Sequence, residues 1–193
     1  MQKGETMKYD ITKPQTKGAK RVLDSVGSAF FNLLTEKDFA DISINEVCDR
    51  AGYPRATFYN YFDDKYDLLN YLWYSVTKEI NLEEYADIAP QNRLPVFFDR
   101  LYNLFDQWSE QIQRIVEHNQ TDDYFMSSIR IYLNSQIKTI CESCVEPLHG
   151  IPSEMLAEHY ANTLYLVMEW RFLKGNDTPK ETLFGYLTTL LEL

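Results

Sequence analysis

The sequence predicts an all-α chain in two parts: a three-helix helix-turn-helix domain at the N-terminus and a larger helical domain after it. Three observations carry this. Apolar residues recur every three or four positions from Val22 to Leu191, the period of helices that bury one face. Two capping boxes, Ser43-x-x-Glu46 and Thr178-Pro179-Lys180-Glu181, mark helix starts. Gly52 and Pro54 separate two short runs of that period, a stop residue followed at once by a start residue.

Taken in order, residues 1–16 are polar, with Lys3, Lys8 and Lys13 and no periodicity, and read as a loose arm. Such an arm either reaches a neighbouring groove or is a plain tail. A helix follows from Lys17 to about Leu34, with Val22, Val26, Ala29, Phe30, Leu33 and Leu34 on one stripe. Lys17, Lys20 and Arg21 sit in its first turns, where cations oppose the helix dipole; a phosphate partner would explain them. Phe39 and Ile42, in the connection, are expected to plug the core. Ser43 caps a second helix from Ile44, with Ile44, Val47 and Ala51 inward and Cys48 in the core. Pro54 suits the first turn of a third helix, about two turns long, anchored by Phe58 and Phe62. Asp64 and Asp67 open a fourth helix, expected to run to about Ile80 behind Leu68, Leu69, Leu72, Trp73 and Val76.

Residues 81–93 are polar and acidic, with Pro90 and Pro95 nearby, and read as the domain boundary. Residues 17–80 are then the first domain with its linking helix, and 81–193 the second. A helix is expected from near Leu94 through Ile112, with Ile115 and Val116 extending it or starting another. His118 to Asp123 reads as a break, and Tyr124 to about Val145 as a long helix. Ser153 to Lys174 is apolar on most sides, ends at Gly175, and must be buried from more than one direction. Pro179 then opens a last helix with Leu183, Phe184, Leu187, Leu190 and Leu191 inward.

The chain has 193 residues, 45% of them hydrophobic and 15% aromatic, enough for a real core. Three cysteines fit a reduced, cytoplasmic protein rather than a disulfide framework. No apolar run approaches the roughly 18 residues of a membrane span, and the polar N-terminus lacks a signal peptide's apolar region. The net charge of −10 is uneven. Residues 1–35 hold 6 basic and 3 acidic residues, whereas residues 81–193 hold 8 and 17. The acid therefore lies mostly away from the first domain, and a local basic edge decides contact with a polyanion.

The outward face of the third helix is the informative one. Arg55, Thr57, Tyr59, Asn60 and Tyr61 are hydrogen-bonders or flat stacking groups, where a purely structural helix would carry Glu and Lys. Arginine matches guanine O6 and N7, asparagine matches adenine N6 and N7, and hydroxyls match phosphates. Two short helices at a steep angle, the second bearing such residues, are built to enter a major groove. Arg55, Ala56 and Asn60 are the expected base readers, with Asn45 beside them. Thr57, Tyr59 and Tyr61 are expected on phosphates, flanked by Ser43, Lys17 and Lys20.

The run A-G-Y-P-R-A-T-F-Y-N-Y-F-D-D-K-Y-D-L-L, from Ala51 to Leu69, resembles the DNA-binding motif of TetR-family transcriptional regulators. The chain departs at Tyr53, at Pro54 (for a hydroxyl cap) and at Tyr61 (for the commoner His). The resemblance covers about residues 17 to 70. It implies that Lys65 contacts phosphate, that the fourth helix joins a DNA-binding head to a ligand-binding and dimerisation body, and that the last two helices pair with their symmetry mates. The run W-R-F-L-K-G-N-D-T-P-K-E resembles the junction before the last helix in Firmicutes-type C-terminal domains of the family. The implied protein is a cytoplasmic, nucleoid-associated homodimer on a palindromic operator in double-stranded DNA, most simply a repressor released by a small effector. A second reading stays open: a nucleoid-associated protein of the same fold, such as a division inhibitor, working through protein contacts without a ligand. A body without a cavity would favour it.

An enzyme is not expected, because no nucleophile elbow, P-loop or dinucleotide fingerprint occurs. No cofactor or metal is expected either. Cys141 and Cys144, at i and i+3, read as packed thiols rather than a redox or metal pair. For an effector pocket, the body offers Tyr102, Trp108, Tyr124, Phe125, Tyr132 and Tyr165. Glu142 or Glu169 facing inward would favour a flat cation.

Overall fold

A computed structural model describes residues 8–10, 15–78, 88–119, 123–142 and 150–192. It is all-α, with nine helices among the described residues: α1 Lys17–Leu34, α2 Ile44–Ala51, α3 Arg55–Tyr59, α4 Lys65–Lys78, α5 Pro90–Gln107, α6 Ser109–Asn119, α7 Asp123–Glu142, α8 Ser153–Met168 and α9 Lys180–Glu192.

The head is set by its caps. Thr16 accepts the Ala19 N–H at 3.1 Å and starts α1. Ser43 and Glu46 form both halves of the capping box on α2. Gly52 ends α2 at φ 72, a left-handed turn that a Cβ would strain. Asp64 accepts the N–H groups of Tyr66 and Asp67, at 2.8 and 2.9 Å, and starts α4. One helix is shorter than the spacing suggests. Pro54 lies just outside α3 in extended backbone, and α3 is only five residues long, with Asn60 as its C-cap. Phe58 and Phe62 still anchor it, both essentially unexposed, with ring centroids 5.3 Å apart.

Helix boundaries in the body differ from expectation at three places. Pro90 is already the first residue of α5 and Pro95 lies in its second turn. Proline reads as a boundary, yet at the first helical position the missing N–H of Pro90 costs little, whereas Pro95, inside the helix, forgoes one backbone bond. The Arg93 side chain also ties the start down, donating to the Ile88 carbonyl at 2.9 Å. The long helix expected through Ile112 breaks at Trp108, whose ring meets Phe31 of α1 edge-on at 5.4 Å. The helix expected to end at Lys174 instead leaves α8 after Met168 through a π turn, Glu169–Leu173, before Gly175 at φ 69. The last helix starts at Lys180, and the Thr178 hydroxyl accepts the Trp170 indole N–H at 3.2 Å. The expected ends of the fourth helix at Ile80 and the seventh at Val145 fall outside the described residues.

Two apolar cores result. One joins α1 to α4 with Ile115 of α6, Phe125, Ile129 and Leu133 of α7 and Tyr165 of α8. The other packs α5 against α8, the π turn and α9. The head therefore shares its core with the body across a broad seam.

One contact crosses that seam by hydrogen bonding. The Asn119 side chain, at the end of α6, is fully buried. Its Oδ1 accepts the Phe39 N–H at 2.7 Å, and its Nδ2 donates to the Ile115 carbonyl at 2.8 Å. Phe39 begins a short 3-10 turn, Phe39–Asp41, just before α2.

α8 is not buried on every side. Met155 and Leu166 of α8 are 63% and 47% exposed, on a face they share with the exposed His159 and Asn162; Trp170 of the π turn is 45% exposed and Tyr186 of α9 50%. No described helix is long and apolar enough to cross a membrane.

Candidate nucleic-acid interface

α3 stands out from the head because its inward residues are few and large. Phe58 seats it, Gly52 turns it away from α2, and the remaining side chains face out. Arg55, Ala56, Tyr59 and Asn60 are exposed, and Thr57 is half-buried. Arg55 folds back along the helix, donating to the Tyr59 hydroxyl at 3.1 Å with its guanidinium 5.6 Å from the ring. This pairing holds the guanidinium's charge more firmly than usual. It also pre-forms the long side chain, which reduces the entropy lost on docking. Asn45, Lys17 and Lys20 are exposed on the neighbouring helix starts.

Three expected contact residues are occupied within the fold. Lys65 donates to the carbonyls of Phe39 and Ala40 at 2.8 Å and of Ile42 at 3.3 Å. Its ammonium also lies 4.6 Å from the Phe39 ring. Three N–H groups on three carbonyls make Lys65 a clamp on the 3-10 turn. The Ser43 hydroxyl accepts the Glu46 N–H and donates to the Glu46 carboxylate at 2.8 Å. Tyr61 is half-buried against Tyr9, 5.2 Å away.

Tyr9 and Lys8 carry a signal that the sequence reading missed. The Lys8 ammonium donates to the Tyr59 carbonyl at 2.7 Å and pairs with Asp63 at 2.9 Å. Its backbone N–H donates to Asp67 at 3.2 Å. These residues are therefore laid against the end of α3 rather than loose. Residues 1–7 and 11–14 of the expected arm lie outside the described residues.

The capping box has a pH signature. Glu46 is held down to about 2 from 4.5, first by the Lys37 ammonium and then by the Ser43 N–H and hydroxyl. A carboxylate with a lowered folded pKa adds stability that is full above its unfolded value. That stability fades as pH falls through the folded value. Between about pH 4.5 and 2 the wild type is expected to lose stability that Glu46→Gln never has. Urea midpoints at pH 5 and pH 2.5 check this, and equal acid losses in the two chains would count against it.

Three of the expected effector residues, Tyr102, Phe125 and Tyr165, are buried in the cores. Tyr102 is buried against Phe172, with Lys180 5.1 Å from its ring. Phe125 is unexposed beside Phe39 and Trp73. Tyr124 is 44% exposed on Tyr66. Burial, reinforced by the neighbouring Glu169, pushes the Tyr165 hydroxyl up to about 12. Glu169 pairs with Lys174 at 3.1 Å. The Glu142 and Cys141 side chains, and all of Cys144, fall outside the described residues. Cys48 is buried, which pushes its thiol up.

Trp108 and Tyr132 do line a cavity, of about 590 Å³. It lies between α1 and α4 on one side and α5, α6 and α7 on the other, on the seam rather than within the body alone. Its α1 and α4 wall was not legible, because those residues read as ordinary stripes.

Comparison with known proteins agrees with this geometry. Residues 28–72 match the domain described as bacterial regulatory proteins, tetR family. An uncharacterized HTH-type transcriptional regulator of Mycobacterium tuberculosis is 35% identical over 82 residues, 40% of this chain and 39% of that protein. The match thus spans well under half the length of this curated relative. Among solved structures, a TetR-family regulator from Streptomyces coelicolor superposes with a TM-score of 0.66 at 12% identity, over 93% of this chain and 98% of that one. A TetR transcriptional regulator from Streptococcus agalactiae gives 0.58 at 21%, over 89% and 94%. A dihydroxyacetone kinase operon activator gives 0.59 at 18%, over 89% and 94%. The turn at Gly52, the matched head and the shared fold point one way: residues 28–72 carry the DNA-binding domain of the tetR family, and the chain as a whole has the fold of these TetR-family structures.

Proposed function

We propose that the chain is a DNA-binding transcriptional regulator that acts as a homodimer on a palindromic operator and is released by a small molecule, most simply as a repressor. The observation that carries this is α3: five residues seated by Phe58, with Arg55, Ala56, Tyr59 and Asn60 turned outward. Arg55, Ala56 and Asn60 read base edges, with Asn45 beside them. Tyr59 and Thr57 hold phosphates, and Lys17 and Lys20 flank the groove. Lys65 acts one step back, fixing the turn on which α2 rests.

The dimer reading is supported by Met155 and Leu166 of α8, Trp170 of the π turn and Tyr186 of α9, large apolar residues that a single chain leaves in water. Two-fold pairing places the two α3 helices on half-sites about 34 Å apart, one DNA turn, or a multiple of it. The cavity favours a ligand-responsive regulator over one that works by protein contacts alone. Such a protein acts at the nucleoid in the cytoplasm. Since one fold neighbour is named an operon activator, the sign of regulation is read by a reporter fused to the selected operator.

Selection of bound sequences from random duplex DNA tests the reading. It is expected to recover a palindrome; recovery of no preferred sequence would overturn it. Arg55→Ala is expected to cost about 1–3 kcal/mol at one base pair per half-site and to relax preference there. An equal loss on operator and random DNA would remove Arg55 from base reading.

A further inference from the structure

We propose that the cavity on the head–body seam binds an apolar aromatic molecule carrying a single positive charge, seated with its charge at Asp24; this rests on the regulator reading above. The walls set the class. Phe31, Tyr71, Trp73, Phe105, Trp108 and Tyr132 all line the cavity, and the rest of the lining is largely aliphatic. A volume of about 590 Å³ is in the range that holds a small organic ligand.

Charge decides between ligands of that size. Among the described residues of the lining, Asp24 is the one that carries a charge, and none is lysine, arginine or histidine. An anion entering there would meet a carboxylate and no counter-charge, whereas a cation gains the carboxylate and the faces of the aromatic rings. Asp24 is also well placed. Asp24, Ser28 and Asn32 are spaced four apart on α1, so they share one face, and all three are exposed. They form a polar rim on the head's side of an apolar chamber. Gly27 sits inside this rim, where an added Cβ would come within 3.4 Å of the Tyr71 ring, so α1 and α4 stay close behind it.

The position also gives the occupant something to act on. One wall of the cavity is α6, through Gln111, Ile112, Ile115 and Val116. The same helix ends in Asn119, which holds the Phe39 N–H of the head. A ligand that shifts α6 therefore pulls on the turn before α2. It releases DNA to the extent that it fits the shifted arrangement better.

Three probes of one shape test the class: 4-phenylbenzylamine, 4-phenylbenzyl alcohol and 4-phenylbenzoate, titrated calorimetrically into the full chain without DNA. The amine is expected to bind about threefold tighter than the alcohol, as an exposed ion pair allows, with the carboxylate weakest. Asp24→Asn is expected to remove most of the amine's advantage over the alcohol while leaving alcohol affinity unchanged. Ser28→Phe, at an exposed helical position, is expected to block all three probes without lowering the melting temperature. Tryptophan fluorescence of a Trp170→Phe chain, whose remaining indoles Trp73 and Trp108 both line the cavity, is expected to follow the same titration. No saturable binding of the amine, equal affinity for amine and carboxylate, or binding that survives Ser28→Phe would overturn the site. A chain that binds the amine but selects no DNA sequence would instead overturn the regulator reading and leave the site standing.

Discussion

Phe39→Ala is expected to lower the stability of the chain by about 3–5 kcal/mol, the range for removing a large aromatic from a packed core. Phe39 is 2% exposed and meets four rings: Phe30 at 6.1 Å, Tyr66 at 5.4 Å, Tyr124 at 6.2 Å and Phe125 at 5.8 Å. Two of these partners belong to the head and two to α7. The truncation therefore opens a hole where the two parts meet, and leaves Lys65 without the ring beneath it. Against a total stability of about 5–15 kcal/mol for a typical domain, that loss threatens folding near body temperature. Phe39→Leu keeps most of the volume and is expected to cost under half as much. Urea denaturation followed by tryptophan fluorescence measures both. A loss below about 1 kcal/mol for Phe39→Ala would mean that the cluster does not join head to body.

Asn119→Ala is expected to cost about 1–3 kcal/mol, although it removes a small side chain from the end of a helix. The reason is what it leaves behind. The Phe39 N–H has Asn119 Oδ1 as its partner in a buried place, and an unpaired buried donor bears its full desolvation cost. Asn119→Asp separates the two bonds. It keeps an acceptor for Phe39 but loses the donor to the Ile115 carbonyl and buries a charge, so it too is expected to destabilise. Hydrogen exchange gives a local reading of the same claim. The Phe39 amide is expected to be protected in the wild type and to exchange rapidly in Asn119→Ala. Unchanged protection would show that the bond across the seam is not formed in solution.

The fold was legible where its signals lie close together in the chain. Ser43 with Glu46, Gly52, and Asp64 with Asp67 each act within four residues, and each sits where its chemistry requires. The features that were not legible depend on distant partners. Trp108 breaks a helical stripe because Phe31 is there to receive it, and Asn119 looks like a loop residue until Phe39 is seen opposite. Lys65 has a place in the fold that the motif does not show. Its spacing is the familiar one, but the three carbonyls that hold it come from residues 39–42, more than twenty positions earlier. The outward face of α3 was readable because its residue types are unusual for a solvated helix. The cavity was only half readable, since aromatic residues that fill a core and those that surround a hollow obey the same periodicity.

The clasp made by Lys8 and Tyr9 has a practical side. Anything fused upstream, an affinity tag or a fluorescent reporter, joins the described chain at Lys8, where Lys8 and Tyr9 lie against Tyr59 and Tyr61. On the interface proposed above, bulk or charge added there is expected to compete with a duplex for the same space. At the opposite end of the chain, a tag would follow α9, which also carries the exposed Tyr186, and on the dimer reading proposed above it is expected to obstruct pairing of subunits before it disturbs DNA. The two choices of fusion end thus perturb different assays. An affinity measured with both, then after tag removal, separates an artefact of handling from a property of the molecule.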